Sequence, residues 1–130
     1  MPCIMQDKPY VRIHCWLEKE GGVLFGLGRM QLLRKIEEYG SLKKAAEEMG
    51  MSYRGAWGKI KRTEELLGNN LIEKISNKEG YRLTAFGREL IEMYMNWISS
   101  VEDFAFARAG EIFPWPLESD KGSVSPSDDD

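Results

Sequence analysis

The stretch Gly40-Ser41-Leu42-Lys43-Lys44-Ala45-Ala46-Glu47-Glu48-Met49-Gly50-Met51-Ser52-Tyr53-Arg54-Gly55-Ala56-Trp57 decides the reading of this chain. Ser41 is placed to cap a helix over Leu42 to Met49, whose inner face is Leu42, Ala45, Ala46 and Met49. Gly50 ends it. Ser52 then caps a third helix running to about Leu67, with Gly68 as its stop and Ala56, Ile60, Thr63 and Leu67 as its inward stripe. Two helices joined by a turn of about three residues, with a glycine in the turn, are what a helix-turn-helix requires. The paired alanines let the second helix cross close over the first. A tight helical hairpin in any small helical protein has the same local pattern, so this segment alone leaves the function open.

Working outward, Arg29 to Tyr39 reads as an amphipathic helix, with Met30, Leu33 and Ile36 on one stripe, flanked by Leu32 and Tyr39. Gly40 is suited to the left-handed position beyond its end. On the other side, Leu71 to Ile75 and Tyr81 to Thr84 read as short strands around the polar turn Ser76-Asn77-Lys78-Glu79-Gly80. A hairpin directly after a helix-turn-helix is a wing. Before the helices, Tyr10 to Leu27 reads as another hairpin, since Val11, Ile13, Cys15 and Leu17 alternate with Arg12, His14 and Trp16. Its turn is Lys19-Glu20-Gly21-Gly22, and His14 falls on the solvent side.

Thr84 caps a long last helix reaching to about Ala109. Its residues Leu90, Tyr94, Trp97, Val101 and Phe104 follow heptad spacing, with Ile91, Met95 and Ile98 alongside. So wide an apolar face exceeds what a small core can cover, and a dimerisation helix is expected over about 84–109. The fold class is therefore α+β, mainly α: a winged helix-turn-helix with an N-terminal β-hairpin and a long C-terminal helix. The domain spans 10–110. Residues 1–9 read as a flexible start, and residues 111–130, ending in Asp128-Asp129-Asp130, as a disordered acidic tail.

The net charge of −3 argues against a polyanion partner until it is divided along the chain. Residues 29–88 hold 13 Lys and Arg against 8 Asp and Glu, whereas residues 89–130 hold 2 against 10. A basic middle beside an acidic end accompanies nucleic-acid binding by one segment. Cys3 and Cys15 lack the spacing of a disulfide framework or a metal site, and His14 is the sole histidine. Free thiols in a reducing cytoplasm are the expectation, with no metal, no nucleophile and no cofactor loop. Met1 to Pro9 has no export signal, and no apolar run is long enough to span a membrane. Glu47, Glu48, Glu64 and Glu65 read as solvent-facing carboxylates, so an enzyme is not indicated.

From Gly40 through Trp57, and again at Leu71-Ile72-Glu73-Lys74, Leu83-Thr84, Gly87 and Leu90 to Tyr94, the sequence resembles the N-terminal DNA-binding domain of the ModE family of molybdate-responsive regulators. The resemblance covers about residues 10 to 105, and the surrounding pattern is shared more loosely with LysR-type regulators. It implies a dimeric winged helix-turn-helix that binds DNA. Two departures matter. The wing is shortened to Asn77-Lys78-Glu79-Gly80, and the chain stops before a domain of the kind that senses oxyanions in this family. Molybdate or tungstate binding by this chain is accordingly not expected.

In such a domain the third helix, about 52–67, enters the major groove and the wing, about 71–84, lies on flanking DNA. Arg54 is the leading candidate for a base contact, because a guanidinium pairs bidentately with guanine edges. Tyr53 suits a base or a phosphate, and Ser52 at the helix N-terminus suits a phosphate. Lys59, Lys61, Arg62, Lys43 and Lys44 are candidates for backbone contacts, as are Lys78 and Arg82 on the wing. Trp57 either packs against the first or third helix as an anchor or stacks with Tyr53 near the DNA, and the packing role is favoured. Expected partners are double-stranded DNA and a second copy of the chain, with a separate sensor protein as a further possibility. A winged-helix protein-interaction module is the alternative, distinguished by salt dependence. An effector pocket shaped by Cys3, Cys15, Phe104, Phe106, Phe113 and Trp115 is a lesser alternative to plain packing.

Overall fold

A computed structural model describes residues 8–75 and 80–119 of the chain. Cys3, the wing-turn residue Lys78 and the acidic end from Asp120 to Asp130 lie outside the described residues. The order of elements is β1 (Tyr10–Val11), β2 (Leu17–Lys19), β3 (Gly22–Phe25), α1 (Leu27–Tyr39), α2 (Leu42–Glu48), α3 (Tyr53–Leu67), β4 (Ile72–Lys74), β5 (Tyr81–Leu83), α4 (Ala85–Ile112) and β6 (Glu118–Ser119). Among the described residues the fold is mainly helical, with three small two-stranded sheets.

Local chemistry fixes the helix ends. Ser41, Ser52 and Thr84 each accept a hydrogen bond from the backbone N–H three residues on, at 3.0 Å in every case. Gly40, Gly50 and Gly68 each take the left-handed conformation beyond a helix, with φ of 65°, 71° and 70°. At Gly50 the turn is a full Schellman closure. The Gly50 N–H donates to Glu47 O at 3.1 Å, and the Met51 N–H donates to Ala46 O at 3.0 Å. A left-handed residue at this point reverses the chain within three residues and sends α3 across α2.

One core holds α1, α2, α3 and the wing together. Leu32, Leu33, Ile36, Leu42, Ala45, Ala46, Ala56, Ile60, Leu71 and Leu83 are all at most 1% exposed. Each large aliphatic side chain buried there contributes roughly 2 kcal/mol of transfer free energy. The wing joins this core through backbone as well as side chains. Strands β4 and β5 pair antiparallel with Ile72 opposite Leu83 and Glu73 opposite Arg82. The Tyr81 N–H donates to Gly40 O at 3.0 Å, and the Thr84 N–H to Leu71 O at 2.9 Å. Gly87 permits the second approach: a Cβ there would stand 2.4 Å from Leu71 O.

Four expectations require correction. The first concerns the entry to the fold. The alternation from Val11 to Cys15 is seen in burial, but residues 12–16 have no strand pairing. Only β2 and β3 form the hairpin, turning at Glu20 and Gly21 with φ of 55° and 79°. The second concerns the two ends of the chain. Tyr10 and Val11 pair in parallel with Glu118 and Ser119, and the Glu118 N–H donates to Pro9 O at 2.9 Å. Residues 111 and 112 form the last turn of α4, and Glu118 and Ser119 form β6.

The third correction divides the heptad stripe of α4, a helix of 28 residues, or about 42 Å. Leu90 and Tyr94 are buried in their own domain at 9% and 5% exposure. Tyr94 meets Phe25 and Trp97 edge-on and donates through Oη to Cys15 O at 2.9 Å. These two residues are closed to a partner helix because the single chain already covers them. Trp97 and Val101 are half-buried, while Phe104 is 70% exposed. The fourth correction, at Glu64, belongs to the site.

Candidate nucleic-acid interface

The third helix presents one face inward and three to its surroundings. Ala56, Ile60 and Thr63 point into the core, and the alanines of α2 leave room for that close crossing. On the outward side Tyr53, Arg54, Gly58, Arg62 and Glu65 are exposed, and Lys61 is half-exposed. Ser52 Oγ is engaged by the Gly55 N–H, so its role at the helix N-terminus is first of all a cap.

The wing closes one flank. Trp57 is half-buried against the core and packs on Tyr81 of β5, with ring centroids 6.4 Å apart. The Lys61 ammonium sits 4.4 Å from the Trp57 ring and 2.9 Å from a Glu64 carboxylate oxygen. Glu64 is not solvent-facing as expected: it is 6% exposed. Its other oxygen accepts the N–H groups of Leu71 and Ile72, at 2.7 and 3.2 Å. Two backbone donors at the start of a short strand would otherwise be buried without partners, and the carboxylate satisfies both. The sequence carried a signal for this, because position 64 lies beside the apolar stripe of Ile60, Thr63 and Leu67.

The β2–β3 hairpin closes the other flank. Thr63 Oγ1 donates to Leu24 O at 2.6 Å, and Lys19 Nζ donates to Leu66 O at 3.0 Å. The Arg62 guanidinium reaches to 4.0 Å from where a Cβ of Gly22 would be. Arg29, buried at 7%, donates through Nε to Lys59 O at 3.4 Å. Nothing local to α3 in the sequence signals this support from the hairpin.

The remaining candidates are more dispersed. Lys43 and Lys44 are exposed on the first turn of α2. Lys44 and Lys35 lie 6.0 and 5.9 Å from the Tyr39 ring, which holds both ammonium groups near the α1–α2 turn. Arg82 is exposed on the wing and pairs with Glu73 at 2.8 Å. Phe113 and Trp115 stack at 5.4 Å and stay exposed, as does Phe106. Among the described residues no group of three or more His, Cys, Asp or Glu side chains is close enough to hold a metal. No described helix is long and apolar enough to cross a membrane.

The segment from α1 through the first turn of α4 can be matched as a unit. Residues 27–88 match the family described as bacterial regulatory helix-turn-helix protein, lysR family. Over these residues the chain is similar to that family. Relatives that match this segment and its flanks include the DNA-binding transcriptional dual regulator ModE of Escherichia coli (strain K12). It is 29% identical over 100 residues, an alignment covering 75% of this chain and 38% of that protein. The molybdenum transport protein ModE of Azotobacter vinelandii is 31% identical over 81 residues, covering 60% of this chain and 30% of that protein. The chain thus spans only 38% or less of the length of these two relatives.

Solved structures share the fold. The DNA-binding domain of BenM, in its complex with catB site 1 DNA, superposes with a TM-score of 0.52 at 20% identity. That match covers 71% of this chain and 99% of the BenM domain. The DNA-binding domain of CbnR, also in a DNA complex, gives a TM-score of 0.50 at 21% identity, covering 67% of this chain and 92% of that domain.

Proposed function

We propose that this chain is a transcription regulator that binds specific duplex DNA as a homodimer, with α3 in the major groove and the β4–β5 wing on flanking DNA. One observation carries the proposal: the helix-turn-helix leaves Tyr53 and Arg54 exposed on the first turn of a helix whose opposite face is locked into the core. A helix held that way presents its N-terminal side chains to base edges while its own position is fixed. The solved BenM and CbnR domains, which have this fold, are seen with DNA.

Arg54 takes the base contact, and Tyr53 a base or phosphate. Lys43, Lys44, Lys59, Arg62 and Arg82 supply phosphate contacts. Lys61 contributes less, because Glu64 already compensates its charge. The second copy is proposed to pack on α4 beyond Tyr94, where the apolar stripe is open. A molybdate or tungstate titration is expected to leave the tryptophan fluorescence of these residues unchanged.

The test is selection of a preferred site from a random duplex pool, followed by fluorescence anisotropy across a salt series. The parent should bind as a dimer, with affinity falling steeply as salt rises through counterion release. Arg54→Ala should weaken binding to the selected site by about tenfold while leaving the denaturation midpoint in place. Absence of DNA binding at low salt, or binding indifferent to salt, would refute the proposal in favour of a protein-interaction module.

A further inference from the structure

Gly58 is a helix-interior residue that the fold itself does not need. It lies in the second turn of α3, with Ala56 and Trp57 before it and Lys59 and Ile60 after it. A glycine in a helix interior is less favourable than alanine by about 1 kcal/mol, so it ordinarily answers to a tight approach or an unusual backbone angle. Neither is present. Among the described residues, no atom beyond its chain neighbours and the helix's own backbone lies within 4 Å of where its Cβ would stand, and its φ is not positive. The contrast with Gly87 is direct, since a Cβ at 87 would meet the Leu71 carbonyl at 2.4 Å.

The surroundings of Gly58 indicate what makes the approach instead. On a helix, Arg54, Lys61 and Arg62 are its neighbours one turn to either side. Glu65, one further turn along the same face, sets a negative limit to the positive surface. Trp57, next to it in the chain, is engaged with Tyr81 of the wing. Gly58 is therefore a bare position among cationic side chains, where helix backbone is open to a ligand.

We infer that Gly58 is a specificity-determining residue: its missing side chain lets the backbone of α3 meet a base-pair edge in the major groove of duplex DNA. The inference rests on the DNA-binding function proposed above and adds where the closest contact falls. Arg54 and Arg62 then straddle that contact and reach the adjoining base and phosphate. A methyl group at position 58 fits the free protein and intrudes on the complex.

Stability and binding consequently move in opposite directions. Gly58→Ala should raise the Tm by about 4 °C. It should weaken binding to the site selected by the parent by about tenfold, with affinity for unrelated duplex DNA unchanged. Gly110→Ala in α4 is the control, because its Cβ also meets nothing within 4 Å. It should stabilise the chain without altering either affinity.

Retained affinity for the selected site in a stabilised Gly58→Ala chain would overturn the inference, while loss of binding in Arg54→Ala would leave the DNA-binding function standing. An equal loss on selected and unrelated DNA would overturn the base-edge assignment. A lowered Tm would overturn it too, by exposing an intramolecular need for the glycine. Failure of the parent to bind DNA would remove the broader function and this inference together.

Discussion

Helix α3 and helix α4 each begin on a hydroxyl residue that caps the first turn, and each packs an apolar stripe into the same core, yet they expose opposite chemistry. Around Gly58, α3 exposes Arg54, Arg62 and Glu65. Beyond Trp97, α4 exposes Phe104, Phe106 and Ile112, at 70%, 36% and 58%. A charged surface is well solvated and gains from a polyanion chiefly by releasing counterions. An apolar surface is unfavourable in water by about 25 cal/mol per Å² and gains from another apolar surface. The difference teaches that one chain can hold two partners of different kinds apart. In the proposed function, DNA takes the face that water tolerates, and a second copy the face that water does not.

The junction between the two helices is the place to break the comparison hardest. Gly87→Ala should destabilise the chain by about 3 kcal/mol, since the new methyl group overlaps the Leu71 carbonyl and pushes α4 from the wing. Denaturant midpoints would show it. An unchanged midpoint would mean that this backbone approach is looser than the structure has it.

A smaller effect is expected at Glu64. Replacing it with alanine should lower stability by about 2 kcal/mol, because the N–H groups of Leu71 and Ile72 lose their acceptor in a buried place. Amide hydrogen exchange should speed up at those two positions first. If both stay protected, the wing is anchored by other contacts.

The mildest change sharpens the division within α4. Phe104→Ser should raise the dissociation constant of the proposed dimer by about tenfold, measured by sedimentation, while the unfolding of the monomer stays the same. A fall in monomer stability instead would show that Phe104 packs on its own domain.

Much of the helical frame is legible in the sequence. Ser41, Ser52 and Thr84 cap where the sequence places them, and Gly40, Gly50 and Gly68 are left-handed where it ends the helices. The wing is legible as two strands, and Trp57 as a packing residue. At the site, the exposure of Tyr53 and Arg54 follows directly from the inward stripe of Ala56, Ile60 and Thr63. What escapes is whatever depends on distant neighbours. Glu64 reads as solvated because its partners, Leu71 and Ile72, come after the turn. The heptad of α4 reads as one surface because periodicity does not say how far the domain's own core extends along it.

The sequence by itself determined the starts of α2, α3 and α4 and the ends of α1, α2 and α3, since caps and left-handed glycines act within four residues through backbone hydrogen bonds. It also determined which face of α3 turns inward, because the helical repeat alone sets that. Only the tertiary structure decided that Tyr10 and Val11 pair with Glu118 and Ser119 at the far end of the chain, and that Cys15 receives the Tyr94 hydroxyl. Such choices depend on which loop closures the assembled core permits, and no short stretch of chain holds that information.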